Sequence, residues 1–238
     1  MPKDFSPLQY KTLPAQIAHS IGIRIMRHDF QPGDILAREP ELSAQLNVSR
    51  SVVREALKLL SAKGLIESRP KIGTRVRPRA EWNLLDPDVI AWQSEAGPDL
   101  HFLLDICEIR LMFEPRTAAL AAIRGSAEEI AAIEQSCRLL QNALHSVEEY
   151  TEADILFHIS IATAAHNDFL CTIVKTLDMP LRISRLITSQ LPGANEEAMP
   201  MHRAIGEAIS QRNAPEAEAA MRTLIERTTE DIRRLFKA

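Results

Sequence analysis

The chain has few cysteines, few aromatics and no long apolar run, and each shortage excludes something. Its 238 residues contain three cysteines, Cys107, Cys137 and Cys171. They are far apart and odd in number, which supports neither a disulfide framework nor the paired spacing of a zinc knuckle, and all three are expected in the core. Aromatics make up 5% of the chain, and 8 Gly and 14 Pro leave Ala, Leu, Ile, Glu and Arg abundant, a balance that disfavours a β-sandwich or barrel. No apolar stretch nears the roughly 20 residues that span a bilayer, and the opening MPKDFSPLQYKTLP has no hydrophobic signal segment. The expectation is a cytoplasmic protein with no membrane partner. Neither HExxH nor GxSxG occurs, which argues against a hydrolase.

What is present is 45% apolar and 25% charged residues, a globular composition. The net charge of -4 hides a division. Residues 1–78 hold 13 Lys and Arg against 7 Asp and Glu, a net of +6, and residues 79–238 carry a net of -10. Attraction to phosphates decays within about 8–10 Å in physiological salt, so an acidic protein binds a polyanion only through a segregated basic face. The asymmetry points to nucleic acid for the N-terminal part.

Leu13, Ile17, Ile21 and Ile25 recur at helical spacing, and Asp29, Pro32 and Gly33 break the helix. A short helix is predicted over 39–46, with Leu42 and Leu46 inward, and a third over 50–63, capped by Ser49 and burying Val53, Leu57 and Leu60. Two short helices around a tight turn make a helix-turn-helix. The third helix presents Arg50, Ser51 and Arg54 in its first turns, where a recognition helix meets base edges; arginine can donate two bonds to guanine. Beyond Gly64, residues 65–68 and 74–77 read as two strands of a basic wing, placing Arg69, Lys71, Arg75 and Arg77 against the phosphate backbone or minor groove.

From Gly33 to Glu67 this sequence resembles the winged-helix head of GntR-family bacterial regulators. The resemblance rests on Pro32-Gly33 with Leu36, on Glu39-Pro-Glu-Leu42, on Val48-Ser-Arg-Ser-Val-Val-Arg-Glu-Ala-Leu57 and on the Gly64-Leu-Ile66 exit into the wing. It implies a double-stranded DNA operator as partner and carries Ser49, Arg50, Ser51 and Arg54 to the DNA. Where the family usually has a basic residue this chain has Pro40, with Arg38 nearby, and Lys71 replaces the first glycine of the wing turn.

Residues 79–97 are expected as a linker with a short helix packing Val89, Ile90 and Trp92. From 98 to 238 six helical segments are predicted, over 98–123, 127–145, 147–165, 168–189, 199–211 and 215–236. Ser126 and Ser146 open the second and third as S-x-x-E boxes. The fold class is therefore mainly α: a winged helix-turn-helix over 1–78, then an antiparallel all-helical bundle. A bundle builds its site from polar residues on facing helices. Asp154 and His158, four apart, share one helix face and suit one cation or one ligand hydroxyl; alone, such a pair is more often a plain hydrogen bond. His202 is the third candidate. Arg110 lies among Leu103, Ile106, Ile109 and Phe113, where a guanidinium either receives a ligand carboxylate or pairs with Glu114 or Glu108. His145 and His166, near segment ends, read as structural or solvated.

Residues 98–236 resemble the FCD effector domain of the FadR-type branch of that family, through Glu108-Ile-Arg110, Asp154 with His158, His166-Asn167, and His202. The resemblance implies a divalent metal, often zinc, held by Asp154, His158 and His202 beside an organic acid effector. The fourth ligand of the family, a histidine, is Leu224 here, so a three-ligand site completed by water or effector is implied. Glu81-Trp-Asn-Leu-Leu-Asp-Pro-Asp-Val-Ile-Ala-Trp92 and the altered wing are similar to the galactonate-responsive regulators of that branch. They imply a homodimeric repressor released from a palindromic operator by an aldonate, with Arg110, Asp154, His158 and His202 as effector residues. Alternatives are another organic acid, an acyl-CoA, which needs room for a long chain, or a metal-dependent hydrolase.

Overall fold

The computed structural model describes residues 12–69, 72–97 and 99–237, which form two compact units dividing between residues 97 and 98. Each builds its own core.

In the first unit, α1 (Leu13–Met26) begins at Pro14, whose missing N–H costs nothing in a first turn, and buries Ile17, Ile21 and Ile25 while Leu13 stays exposed. Helices α2 (Glu39–Leu46) and α3 (Arg50–Ala62) are joined by Asn47 in the left-handed conformation, which asparagine tolerates. The Ser49 side chain caps α3 by accepting from Val52 N–H at 3.4 Å. Val53, Leu57 and Leu60 are buried as expected, and Leu42 packs on the same core, but Leu46 is 39% exposed. Strands β1 (Ile66–Arg69) and β2 (Gly73–Val76) pair antiparallel with Ile66 opposite Val76. The segment after Gly33 also joins them: Leu36 N–H donates to Thr74 O at 2.8 Å and Val76 N–H to Asp34 O at 2.9 Å. The sequence predicts a break there; the backbone instead makes a third edge to the wing.

Residues 79–97 contain a 3-10 turn (Arg79–Glu81) and α4 (Pro87–Ala96), which packs on α1. Trp92 lies directly over Gly22: a Cβ there would sit 2.3 Å from the indole ring. Alanine in place of a helical glycine ordinarily stabilises. Here Gly22→Ala is expected to destabilise the first unit by about 1–3 kcal/mol through overpacking, and a raised melting temperature would contradict that contact.

The second unit is a bundle of α5 (Leu100–Arg124), α6 (Ala127–Asn142), α7 (Val147–Ala164), α8 (Asp168–Thr176), α9 (Asp178–Thr188), α10 (Ala194–Ser210) and α11 (Ala214–Leu235). Helix α11 lies along α5 and α10, and α7 packs between α6 and α5. Ser126 and Glu129 form a reciprocal capping box, whereas Ser146 caps α7 by accepting from Glu149 N–H. Two expectations fail locally. The segment 168–189 is two helices, because Pro180 removes an N–H and crowds the carbonyl of Thr176. Helix α10 starts at Ala194, behind a left-handed Gly193, and runs through Pro200. Among the cysteines only Cys107 is buried; Cys137 and Cys171 are half-exposed and all three are free. No helix among the described residues is long and apolar enough to cross a membrane.

Candidate functional site

On the first unit, α3 leaves Arg50, Ser51 and Arg54 exposed in its first two turns while its opposite face enters the core. Arg54 is held from behind. Its Nε and Nη2 donate to Glu39 at 3.2 and 2.8 Å, and its side chain remains 60% exposed. That bond, with the positive charge it brings, keeps the Glu39 carboxyl below its ordinary range. Ser49 and Ser51 share a hydroxyl hydrogen bond of 2.8 Å at the helix N-terminus. Arg38 is exposed at the start of α2. In the wing, Glu67 on β1 pairs with Arg75 opposite it and with Arg69 at 3.1 Å, while Arg77 pairs with Glu81. Lys71 lies outside the described residues. The acids that fix these arginines lie 15 residues from Arg54 and 8 from Arg75, spacings that no helical or strand period reveals.

In the second unit, α5, α7, α9 and α10 turn six ionisable side chains inward. Arg110 and Glu114 on α5, Asp154 and His158 on α7, Arg185 on α9 and His202 on α10 are all buried. Arg110 makes a forked pair with Glu114, from Nε at 2.6 Å and Nη2 at 3.2 Å. Of the two readings open for this arginine, the geometry shows the salt bridge to Glu114. Arg185 Nη2 lies 2.7 Å from Asp154 Oδ1, and His202 Nε2 lies 2.9 Å from the same oxygen. His158 Nδ1 is 2.8 Å from Glu114 Oε2, and its Nε2 is 3.8 Å from Asp154 Oδ2 and 3.3 Å from Arg110 Nη2.

Burial pushes both carboxyls up, but the groups that face them outweigh it: Arg110, with His158 beside it, brings Glu114 down to about 2, and Arg185, with His202 beside it, holds Asp154 far below the carboxylate range. Burial lowers His202 against the opposing pull of Asp154 and so favours the neutral ring. Its Nδ1 lies 3.0 Å from the carbonyl of Ala198. Its Nε2 lies 2.9 Å from Asp154 Oδ1, so both ring nitrogens face acceptors, and a neutral ring protonated on Nδ1 would offer its Nε2 lone pair to a cation. His158 Nδ1 lies beside Glu114 Oε2 without a hydrogen bond, and its Nε2 faces Asp154. Imidazoles oriented from behind by an acceptor are what a metal requires of its ligands. One donor atom from each of Asp154, His158 and His202 lies within 4.8 Å of the others, so this group could hold a metal ion. Leu224 is a buried apolar residue of α11. His145 is exposed, and His166 Nε2 lies 2.8 Å from Glu129; neither belongs to the cluster.

Sequence reasoning missed Arg185 and Tyr150. The Tyr150 ring packs edge-on against His202 and lies 5.7 Å from the Arg185 guanidinium. A signal was present, since Arg185 shares a buried face with Leu181, Ser184 and Thr188 while Arg182 turns outward to Glu152 and Asp178.

Residues 13–76 match the bacterial regulatory proteins of the gntR family, and residues 105–227 match the FCD domain. The chain belongs to the FadR branch of the GntR family. It is thus a DNA-binding transcriptional regulator with an FCD domain, not an enzyme. It is 31% identical to the HTH-type transcriptional regulator YieP of Escherichia coli, over 92% of this chain and 97% of that protein. To the galactonate operon transcriptional repressor of Escherichia coli it is 30% identical, over 92% of this chain and 96% of the relative. Among solved structures, a GntR protein of Streptococcus agalactiae superposes with a TM-score of 0.52 at 23% identity, covering 91% of this chain and 99% of the other, and so shares the fold.

Proposed function

We propose that this regulator is a homodimeric repressor of a sugar-acid catabolic operon, released from a palindromic operator when its bundle binds an aldonate such as D-galactonate. Residues 1–78 read the DNA through Arg38, Ser49, Arg50, Ser51, Arg54 and the wing residues Arg69, Lys71 and Arg75. Two heads are needed because one winged helix covers too few base pairs for useful selectivity. Residues 98–238 sense the effector.

The observation that carries the sensing half is the buried cluster of Arg110, Glu114, Asp154, His158, Arg185 and His202, which converge from four helices of the bundle. Buried charge is costly unless it is paired, and six such groups at one place suit a small polar anion better than an acyl chain. The likeness to the galactonate operon repressor supports an aldonate within that class. Asp154, His158 and His202 would hold a divalent ion, zinc by their nitrogen and oxygen donors, which when bound supplies a Lewis acid for the effector's oxygens. The Ala198 carbonyl orients His202, Glu114 lies beside His158, and Arg110, fixed by Glu114, keeps its charge beside His158. Effector binding then weakens operator affinity by as much as the effector prefers the non-binding arrangement.

A thermal-shift titration of the full chain with D-galactonate and gluconate, each with zinc and after chelation, tests this reading. A ligand at 100 times its Kd adds about 2.7 kcal/mol, a rise of several degrees. The expected result is a rise with one aldonate, larger with zinc. No rise with either aldonate would remove sugar acids as the effector class.

A further inference from the structure

Two arginines enter the buried cluster, and they differ in what they leave unfinished. Arg110 spends Nε and Nη2 on Glu114. Arg185 Nη2 lies 2.7 Å from Asp154 Oδ1, and its Nε, although buried, has no hydrogen-bond partner. Nor has the buried hydroxyl of Tyr150, whose ring lies 5.7 Å from the same guanidinium. An unmet buried donor is costly, so two on neighbouring side chains mark a place where something else is expected to bind.

Charge points the same way. Asp154 and Glu114 bring two negative charges and Arg110 and Arg185 two positive ones, so these four side chains balance. A divalent ion on Asp154 would compete with the Arg185 guanidinium for the same oxygen and leave two excess positive charges in a buried place. A carboxylate arriving beside them removes half of that excess.

We propose that Arg185 is the exchangeable cation of this site: it neutralises Asp154 in the free chain, yields that oxygen to the metal, and turns its guanidinium fork to the effector's carboxylate. Tyr150 offers its hydroxyl to the same ligand. This assignment rests on the sugar-acid reading for the ligand's identity, but not for the competition at Asp154. It names Arg185 rather than Arg110 as the carboxylate anchor.

Calorimetric titration of the full chain and of Arg185→Gln, Arg185→Lys and Arg110→Gln tests it, with zinc alone and with D-galactonate in the presence of zinc. Arg185→Gln should bind D-galactonate at least about 30-fold more weakly, the loss of a charged fork, and bind zinc alone more tightly than the parent because its competitor is gone. Arg185→Lys, which keeps Asp154 paired and guards against misfolding, should lose about 10-fold for D-galactonate with zinc binding near the parent's. D-galactonate affinities within threefold of the parent in both variants would overturn the anchor. If the parent takes up neither D-galactonate nor gluconate, the sugar-acid reading fails alone and the zinc arm decides: tighter zinc binding in Arg185→Gln sustains the exchange, and unchanged zinc binding overturns it.

Discussion

Asp154→Ala is expected to lower the unfolding free energy of the second unit by about 3–5 kcal/mol, because it strands a buried guanidinium. Asp154 is 2% exposed, and its Oδ1 lies 2.7 Å from Arg185 Nη2 and 2.9 Å from His202 Nε2. Without it Arg185 keeps its charge in a dry interior with no counter-ion, the situation in which breaking a buried pair costs far more than the pair contributes. A surface control sets the scale: Arg182→Ala, which removes half-exposed pairs to Glu152 and Asp178, should cost less than about 1 kcal/mol. Urea unfolding followed by helical circular dichroism resolves this if the two units unfold separately, since only the transition of the second should move. The same substitution removes a proposed metal ligand, so zinc should no longer raise the melting temperature. A loss below about 1 kcal/mol would mean that water reaches and solvates Arg185.

The second large effect belongs to DNA. Removing both Arg50 and Arg54 as alanines should weaken operator binding at least about 100-fold, as each base-reading arginine contributes about 1–3 kcal/mol. Both side chains point away from the core of the first unit, so the melting temperature and zinc binding should stay at the parent's values. The Glu39 fork makes Arg54 the more informative of the two. If the fork aims the guanidinium at a base, Glu39→Gln should relax sequence preference; if it merely occupies Arg54, affinity should rise. Fluorescence anisotropy on DNA that the protein itself selects from a random pool reads both. Parent-like affinity in the double variant would remove α3 as the reading helix.

Most of the fold was legible because its signals are local. The four-residue spacing of Ile17, Ile21 and Ile25, the Ser49 cap and the Ser126 box each act within one or two turns, and the helices follow them. The errors arise where a distant partner decides. The edge that the segment after Gly33 makes with β2 depends on a strand some forty residues on, and nothing in its own sequence alternates. Pro180 was visible, yet the apolar period of 168–189 continues through it, and period alone does not say that the chain breaks. Within the candidate site, the four-residue spacing of Asp154 and His158 is local and legible, whereas His202 comes from another helix, and only the fold brings the three donor atoms together. Arg185 was hidden beside Arg182, three residues away, although only one of the two faces inward. Spacing favours Glu114, one turn on, over Glu108, two residues back, but does not say whether Arg110 pairs within its helix or receives a ligand.

Regulation requires that the two halves communicate, and the central claim is that an anion in the bundle loosens the grip of the helix on DNA. Anisotropy of a labelled, self-selected operator with the full chain at saturating zinc, titrated with D-galactonate, measures this directly. The account predicts at least about a tenfold rise in the operator Kd with the parent protein, which is about 1.4 kcal/mol of coupling, and little or no rise with Arg185→Gln. An operator Kd that stays constant while D-galactonate binds the bundle would contradict it.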